Sequence, residues 1–181
     1  MITKGSSPTW QGINYVDKPG VLFVTSENVR EGYLDLTKKK FLEPQFNDIQ
    51  ARSILKQNDV LVNIVGASIG RATVYPLSEP ANINQAVALI RCKKDKIEPK
   101  YLNKFLNSPE AIKIYDSMKK EVARANLSLQ NISDLLIPSP PLSKQQELVK
   151  KIEKIETKIA ELEATIANIP AQKEAILRKY L

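Results

Sequence analysis

The chain of 181 residues has no histidine and a single cysteine. Without histidine there is no Ser-His or Cys-His nucleophile pair, most zinc ligand sets are excluded, and the commonest general base is absent. Cys92 cannot form an internal disulfide, and its place in the run VALIRC is that of a buried structural thiol. Long apolar runs are missing too. The longest, such as Val60 to Val65, fall far short of the roughly 20 residues a membrane span needs. The opening MITKGSSPTWQG lacks the apolar core of a signal peptide, so a cytoplasmic location is expected. No Gly-rich loop follows a strand to hold S-adenosylmethionine, so no cofactor and no metal are expected. These absences argue against an enzyme.

What is present is a heptad stripe near the C-terminus. Leu148, Ile152, Ile155, Ile159, Leu162, Ile166 and Ile169 recur at alternating steps of four and three, with Lys and Glu filling most positions between. So narrow an apolar seam calls for another helix against it. Ser143 with Gln146 has the form of a capping box. Residues 144–168 would then span ~37 Å at about 1.5 Å per residue. Pro170 is expected to kink or break the helix, with Ala171 to Tyr180 resuming it. Pro138, Pro140 and Pro141 form a stiff linker that points the helix away from what precedes it.

The preceding residues read as one α+β domain, about 1–140, carrying the helical region 141–181. Val21 to Thr25 and Tyr33 to Thr37 have strand character, and Pro76 to Ala81 reads as loop. Residues 60–75 form a β-hairpin around Gly66 to Gly70, and Gln85 to Cys92 is another strand. Helices start at Pro99 and at Ser108-Pro109, and Ser128 caps a short one. Leu135 to Ile137 is a last strand or extended segment.

The net charge is +7, carried mainly by the first 143 residues, which suggests a polyanionic partner. Lys38, Lys39 and Lys40 are either a solvated face or phosphate contacts. Gly66 and Gly70 serve a tight hairpin, or let backbone approach DNA while Ser68 and Arg71 reach it. Ser26 and Asn28, and Asn84 and Gln85, lie at strand ends. There they cap turns or read base edges, Asn and Gln suiting adenine and Arg guanine. Arg124 and Asn126, in a loop between helices, admit the same two readings. Ser139-Pro140-Pro141-Leu142 superficially matches an amino-methyltransferase motif, but Leu142 cannot supply the π face that stacks on a flipped base.

In order, FVTSENVREGYLDLT, VLVNIVGASIGRATVY, NINQAVAL and ANLSLQNISDLLIPSPPLSKQQELVKKIEKIE resemble the specificity (S) subunit of type I restriction–modification systems. The segment LLIPSPPLSKQQELV is the most diagnostic, although the family usually has Glu where Lys144 stands. The resemblance implies target recognition domains, each reading one half of a split DNA site, joined by helices that set the spacing. Such subunits usually hold two domains and two antiparallel helices. One of each here implies a half-subunit. It would pair as an antiparallel homodimer, a coiled coil, on a palindromic split site of double-stranded DNA. Catalysis would then lie in partner methyltransferase (M) and restriction (R) subunits. A coiled-coil adaptor that binds no DNA, or a fragment of a DNA methyltransferase, are the alternatives.

Overall fold

A computed structural model describes residues 1–17, 20–120 and 126–180, without the side chains of 119 and 120. Two four-stranded sheets form its centre. In the first, β1 (Ile2–Lys4), β8 (Val87–Ile90), β5 (Val60–Asn63) and β6 (Ala72–Val74) lie in that order, all antiparallel. In the second the order is β2 (Tyr15–Val16), β4 (Phe41–Leu42), β3 (Val21–Val24) and β7 (Ala81–Ile83), and β7 runs parallel to β3.

The continuous apolar run at β5 is explained by burial on both faces. Alternation sends Val60 and Val62 toward the helices and Leu61 toward the second sheet. In β8, Ala88 faces the helical side, and Val87 and Leu89 the other. Full burial of a side chain such as Leu61 contributes ~2 kcal/mol. The helical layer is α2 (Pro99–Leu106), α3 (Pro109–Lys120) and α4 (Leu129–Ser133). It supplies Leu102, Leu106, Ala111, Tyr115 and Ile132 to that core. Ser128 caps α4 with Asn131 in a capping box. Helix α1 (Gln45–Ile49) lays Phe46 over Phe23 and Leu42 on the outer side of the second sheet.

The α+β class and the 60–75 hairpin match the sequence expectation. Gly66 and Gly70 in its loop hold φ of 76° and 90°. Tyr33 to Thr37 is not a strand. Gly32 turns the chain at φ 84°, only Leu34 bridges back to Val29, and the Asp35 carboxylate accepts from the Thr37 amide and hydroxyl. That local turn outcompetes the alternating pattern. Leu135 to Ile137 forms no strand with the described residues.

The long helix α5 (Leu142–Tyr180) departs most from expectation. It starts one residue before Ser143, with the Pro141 carbonyl accepting from Lys144 and Gln145, so Ser143 lies in its first turn. It runs through Pro170 without a break, giving 39 residues and ~58 Å. A single proline deletes one backbone bond, and long helical flanks on both sides absorb the loss. The proline linker also does not throw the helix clear of the domain. Gln145 and Val149 are buried against it, and Lys100 and Lys104 of α2 pair with Glu153 and Glu156 at 2.8 and 2.6 Å. From Lys154 onward every described residue is exposed.

Candidate DNA-reading surface

Strand direction brings most of the candidate residues together. β3, β5 and β7 end where β6 and β8 begin, because Asn63 is in register with Val87, Val62 with Ala72, and Val24 with Ile83. The chain leaving β3 carries Ser26 and Asn28, and the chain leaving β7 carries Asn84 and Gln85. The β5–β6 loop carries Ser68 and Arg71. Lys38, Lys39 and Lys40 arrive at the same end, since the Lys40 carbonyl accepts from Phe23. Asn126 bridges to Val65, beside Gly66. Arg124 lies outside the described residues.

Asn63 ties these loops to one another. Its buried side-chain amide donates to the Ser26 carbonyl at 3.0 Å, the Val29 carbonyl at 3.3 Å and the Ser68 hydroxyl at 3.1 Å. Two loops far apart in sequence are thereby fixed to one strand end, which lowers the entropy cost of engaging a ligand.

The individual side chains divide by what they already do. Ser26, Lys40, Asn84 and Gln85 line one cleft of about 210 Å³, together with Ser7, Thr9 and Tyr15. Lys39 and Lys40 flank a larger cavity of about 740 Å³ beyond Tyr15. Asn28 turns inward instead. Its Oδ1 accepts from the Thr25 amide and hydroxyl, and its Nδ2 donates to the carbonyls of Asp35 and Lys38. All four hydrogen-bonding positions of the amide are occupied, so Asn28 shapes the loop and has nothing left for a base. Gly70 likewise faces inward, where a Cβ would sit 2.5 Å from the Tyr115 ring; Gly66 is open to solvent. Of the two glycines, only Gly66 leaves backbone accessible. Arg71 is half-exposed beside Glu31, its Nε 3.7 Å from the carboxylate, a weak surface pair that a phosphate or base can replace. Lys40 is paired with Glu27 at 3.1 Å in the same exchangeable way.

Ser7, Thr9 and Tyr15 were not singled out by sequence. Their signal was a glycine: a Cβ at Gly5 would collide with the Ile83 carbonyl, so this glycine lets the chain after β1 cross the end of β7 to the cleft.

Among the described residues, no group of three or more His, Cys, Asp or Glu could hold a metal. Hydrogen bonds from Thr37, with Arg30 and Lys38 nearby, hold the Asp35 carboxyl below its usual range. Burial pushes the Cys92 thiol up to about 11, so it is poorly nucleophilic. No helix among the described residues is long and apolar enough to cross a membrane.

The second surface is α5. At about 100° per residue, Gln145, Val149, Glu153 and Glu156 fall on one line and the heptad stripe on another, about a quarter turn away. Leu148 is half-buried; Ile152, Ile155, Ile159, Leu162, Ile166 and Ile169 are exposed. Beyond Pro170 the four-three spacing continues through Lys173, Ile176 and Tyr180, and the last two are also exposed. Docking on the domain therefore leaves most of the heptad stripe uncovered.

Residues 9–171 match the type I restriction modification DNA specificity domain family. The chain belongs to this family. It is 29% identical over 164 residues to the type I restriction enzyme EcoBI specificity subunit of Escherichia coli. That match covers 91% of this chain and 34% of the relative. With a putative type I restriction enzyme MjaX specificity subunit of Methanocaldococcus jannaschii it shares 24% over 168 residues, 90% of this chain and 39% of the other. The specificity domain thus spans between a third and two-fifths of the length of these curated relatives. Two solved structures share its fold. A chain from a type I R-M system solved for its assembly and conformational transition superposes with a TM-score of 0.70 at 19% identity, covering 97% of this chain and 40% of that one. The HsdS subunit from Thermoanaerobacter tengcongensis gives 0.59 at 20% identity, covering 91% and 37%.

Proposed function

We propose that this specificity domain is a sequence-specific DNA-binding unit that reads one half of a bipartite site and directs methyltransferase (M) and restriction (R) subunits to it. Residues 1–140 form the reading unit and residues 141–181 the spacing and pairing helix. Two copies pair antiparallel through the stripe from Leu148 to Ile169 as a coiled coil. The two-fold axis then presents two identical reading ends to a palindromic, interrupted duplex. Ser26, Ser68, Arg71, Asn84, Gln85 and Asn126 are the candidate readers, and Lys38, Lys39 and Lys40 contact phosphate. Catalysis belongs to the partner subunits.

The observation that carries this proposal is the convergence of polar and basic loop residues at one end of both sheets, tied together by Asn63. The test is binding of the full chain to labelled duplex across a salt series. Phosphate contacts require log affinity to fall linearly with log salt, by about 0.9 per contact. A coiled-coil adaptor that binds no DNA would show no affinity for duplex even at low salt. A methyltransferase fragment would bind S-adenosylmethionine in a calorimeter, whereas the reading unit gives no heat. Sequencing of modified bases in the host genome then identifies the motif, which is expected to be palindromic and split.

A further inference from the structure

Among the described residues up to 140, three large aromatic side chains are strongly exposed: Trp10 at 76%, Tyr33 at 60% and Tyr15 at 56%. All three belong to segments at the end of the sheets where the polar loops converge. Trp10 directly follows Thr9, which lines the Ser26–Gln85 cleft, Tyr15 lines that cleft, and Tyr33 sits beside Arg71. Elsewhere in these residues, the large apolar side chains left exposed are aliphatic or methionine. Exposed aromatics gathered on one face mark a contact surface better than single exposed residues do.

The backbone at Trp10 and the ring of Tyr15 are also held in place. Trp10 sits in a turn closed by Gln11, Gly12 and Ile13 donating to the carbonyls of Pro8, Thr9 and Pro8. Gly12 completes that turn at φ 68°. The Tyr15 ring leans edge-on against Phe23 at 6.2 Å, and Phe23 against Phe46 at 5.5 Å. Rigid aromatic rings present contact area at little conformational cost.

We infer that Trp10 and Tyr15 are DNA-contact residues whose flat apolar faces pack against sugars and base edges of the bound duplex, beside the amides of Asn84 and Gln85. This rests on the DNA-reading function proposed above. Polar loop atoms alone offer hydrogen bonds; the rings add the apolar contact that thymine methyls and deoxyribose accept.

Trp10 is the single tryptophan of the chain, so its emission reports on this one position. The experiment titrates the full chain with a duplex carrying the motif methylated in the host genome. Tryptophan emission and the anisotropy of a label on the DNA are followed together. Emission is expected to change and to saturate with the anisotropy. Trp10→Ala, checked for folding by circular dichroism, is expected to weaken duplex affinity about tenfold or more, and Trp10→Phe to retain most of it. Saturable anisotropy with unchanged emission, or a Trp10→Ala variant binding as the parent does, overturns the inference and leaves the DNA-reading function standing. No duplex binding even at low salt overturns that function and the inference with it.

Discussion

Replacing Gln145 by Ala should loosen the root of α5 without unfolding the domain. Gln145 is completely buried. Its Oε1 accepts from the Glu98 amide at 2.9 Å, and its Nε2 donates to the carbonyls of Lys96 and Pro140 at 2.9 and 2.7 Å. One side chain thereby joins the start of α2, the loop before it and the proline linker. Truncation strands one amide and two carbonyls. At ~1 kcal/mol net for each hydrogen bond, the docked root loses ~3 kcal/mol. The neighbouring pairs of Lys100 with Glu153 and Lys104 with Glu156 are too exposed to make this up, at about 0.5 kcal/mol each. Hydrogen exchange followed by mass spectrometry measures the effect directly. Amides of residues 145–149 should exchange about 150-fold faster, since 1.4 kcal/mol is a factor of ten, while those of β5 should keep their protection. An acceleration under about fivefold at the root refutes the reasoning. So does an equal acceleration in β5, which would make Gln145 a global stability residue and not the anchor of the helix.

Three further outcomes are expected. Ile155→Asp combined with Ile159→Asp should convert a dimer to a monomer by light scattering, and an unchanged mass would remove the proposed pairing. Gly70→Ala should cost ~3 kcal/mol, from a left-handed φ of 90° and a Cβ 2.5 Å from the Tyr115 ring, whereas Gly66→Ala, with open space around it, should cost only ~1 kcal/mol; equal losses in urea denaturation would contradict the packing described. Glu147 accepts from Lys151 and Lys144, which hold its carboxyl down to about 2. Its folded pKa lies below its unfolded one, so its stabilising contribution is present above about 4.5 and is lost as pH falls through about 2. An NMR titration should find it low in the parent and nearer 4.5 in Lys144→Ala; an unmoved value would deny Lys144 its part.

The features legible in sequence were those whose cause is local. Proline at first helical turns, the Ser128 cap, and the apolar run of β5 followed by Gly66 and Gly70 each carry their signal within a few residues. The strands β1, β2, β4 and β7 have two or three residues each and exist because of partners far along the chain, so no window of sequence could reveal them. Tyr33 to Thr37 misled because alternation is visible in sequence, while the competing Asp35–Thr37 turn depends on a preceding reversal at Gly32. The inward turn of Asn28 was hidden for the same reason, since its donors and acceptors come from Thr25, Asp35 and Lys38. At the root of α5, nothing local marks Gln145 as buried, because its acceptors lie on Lys96 and Pro140.

The buried anchor at Gln145 has a mechanical consequence. From there to Tyr180 the helix is a lever of ~52 Å, held to the domain as far as Glu156 and exposed beyond it. A tilt of about 4° at the root moves the far end by ~3.4 Å, one base-pair step along DNA. In the proposed two-fold assembly, the separation of the reading ends is therefore set by an angle, and that angle is held mainly by the buried, uncharged hydrogen bonds of Gln145, with the exposed pairs of Lys100 with Glu153 and Lys104 with Glu156 adding little. Salt should weaken the grip of the lysines on phosphate while leaving the preferred spacing between half-sites unchanged.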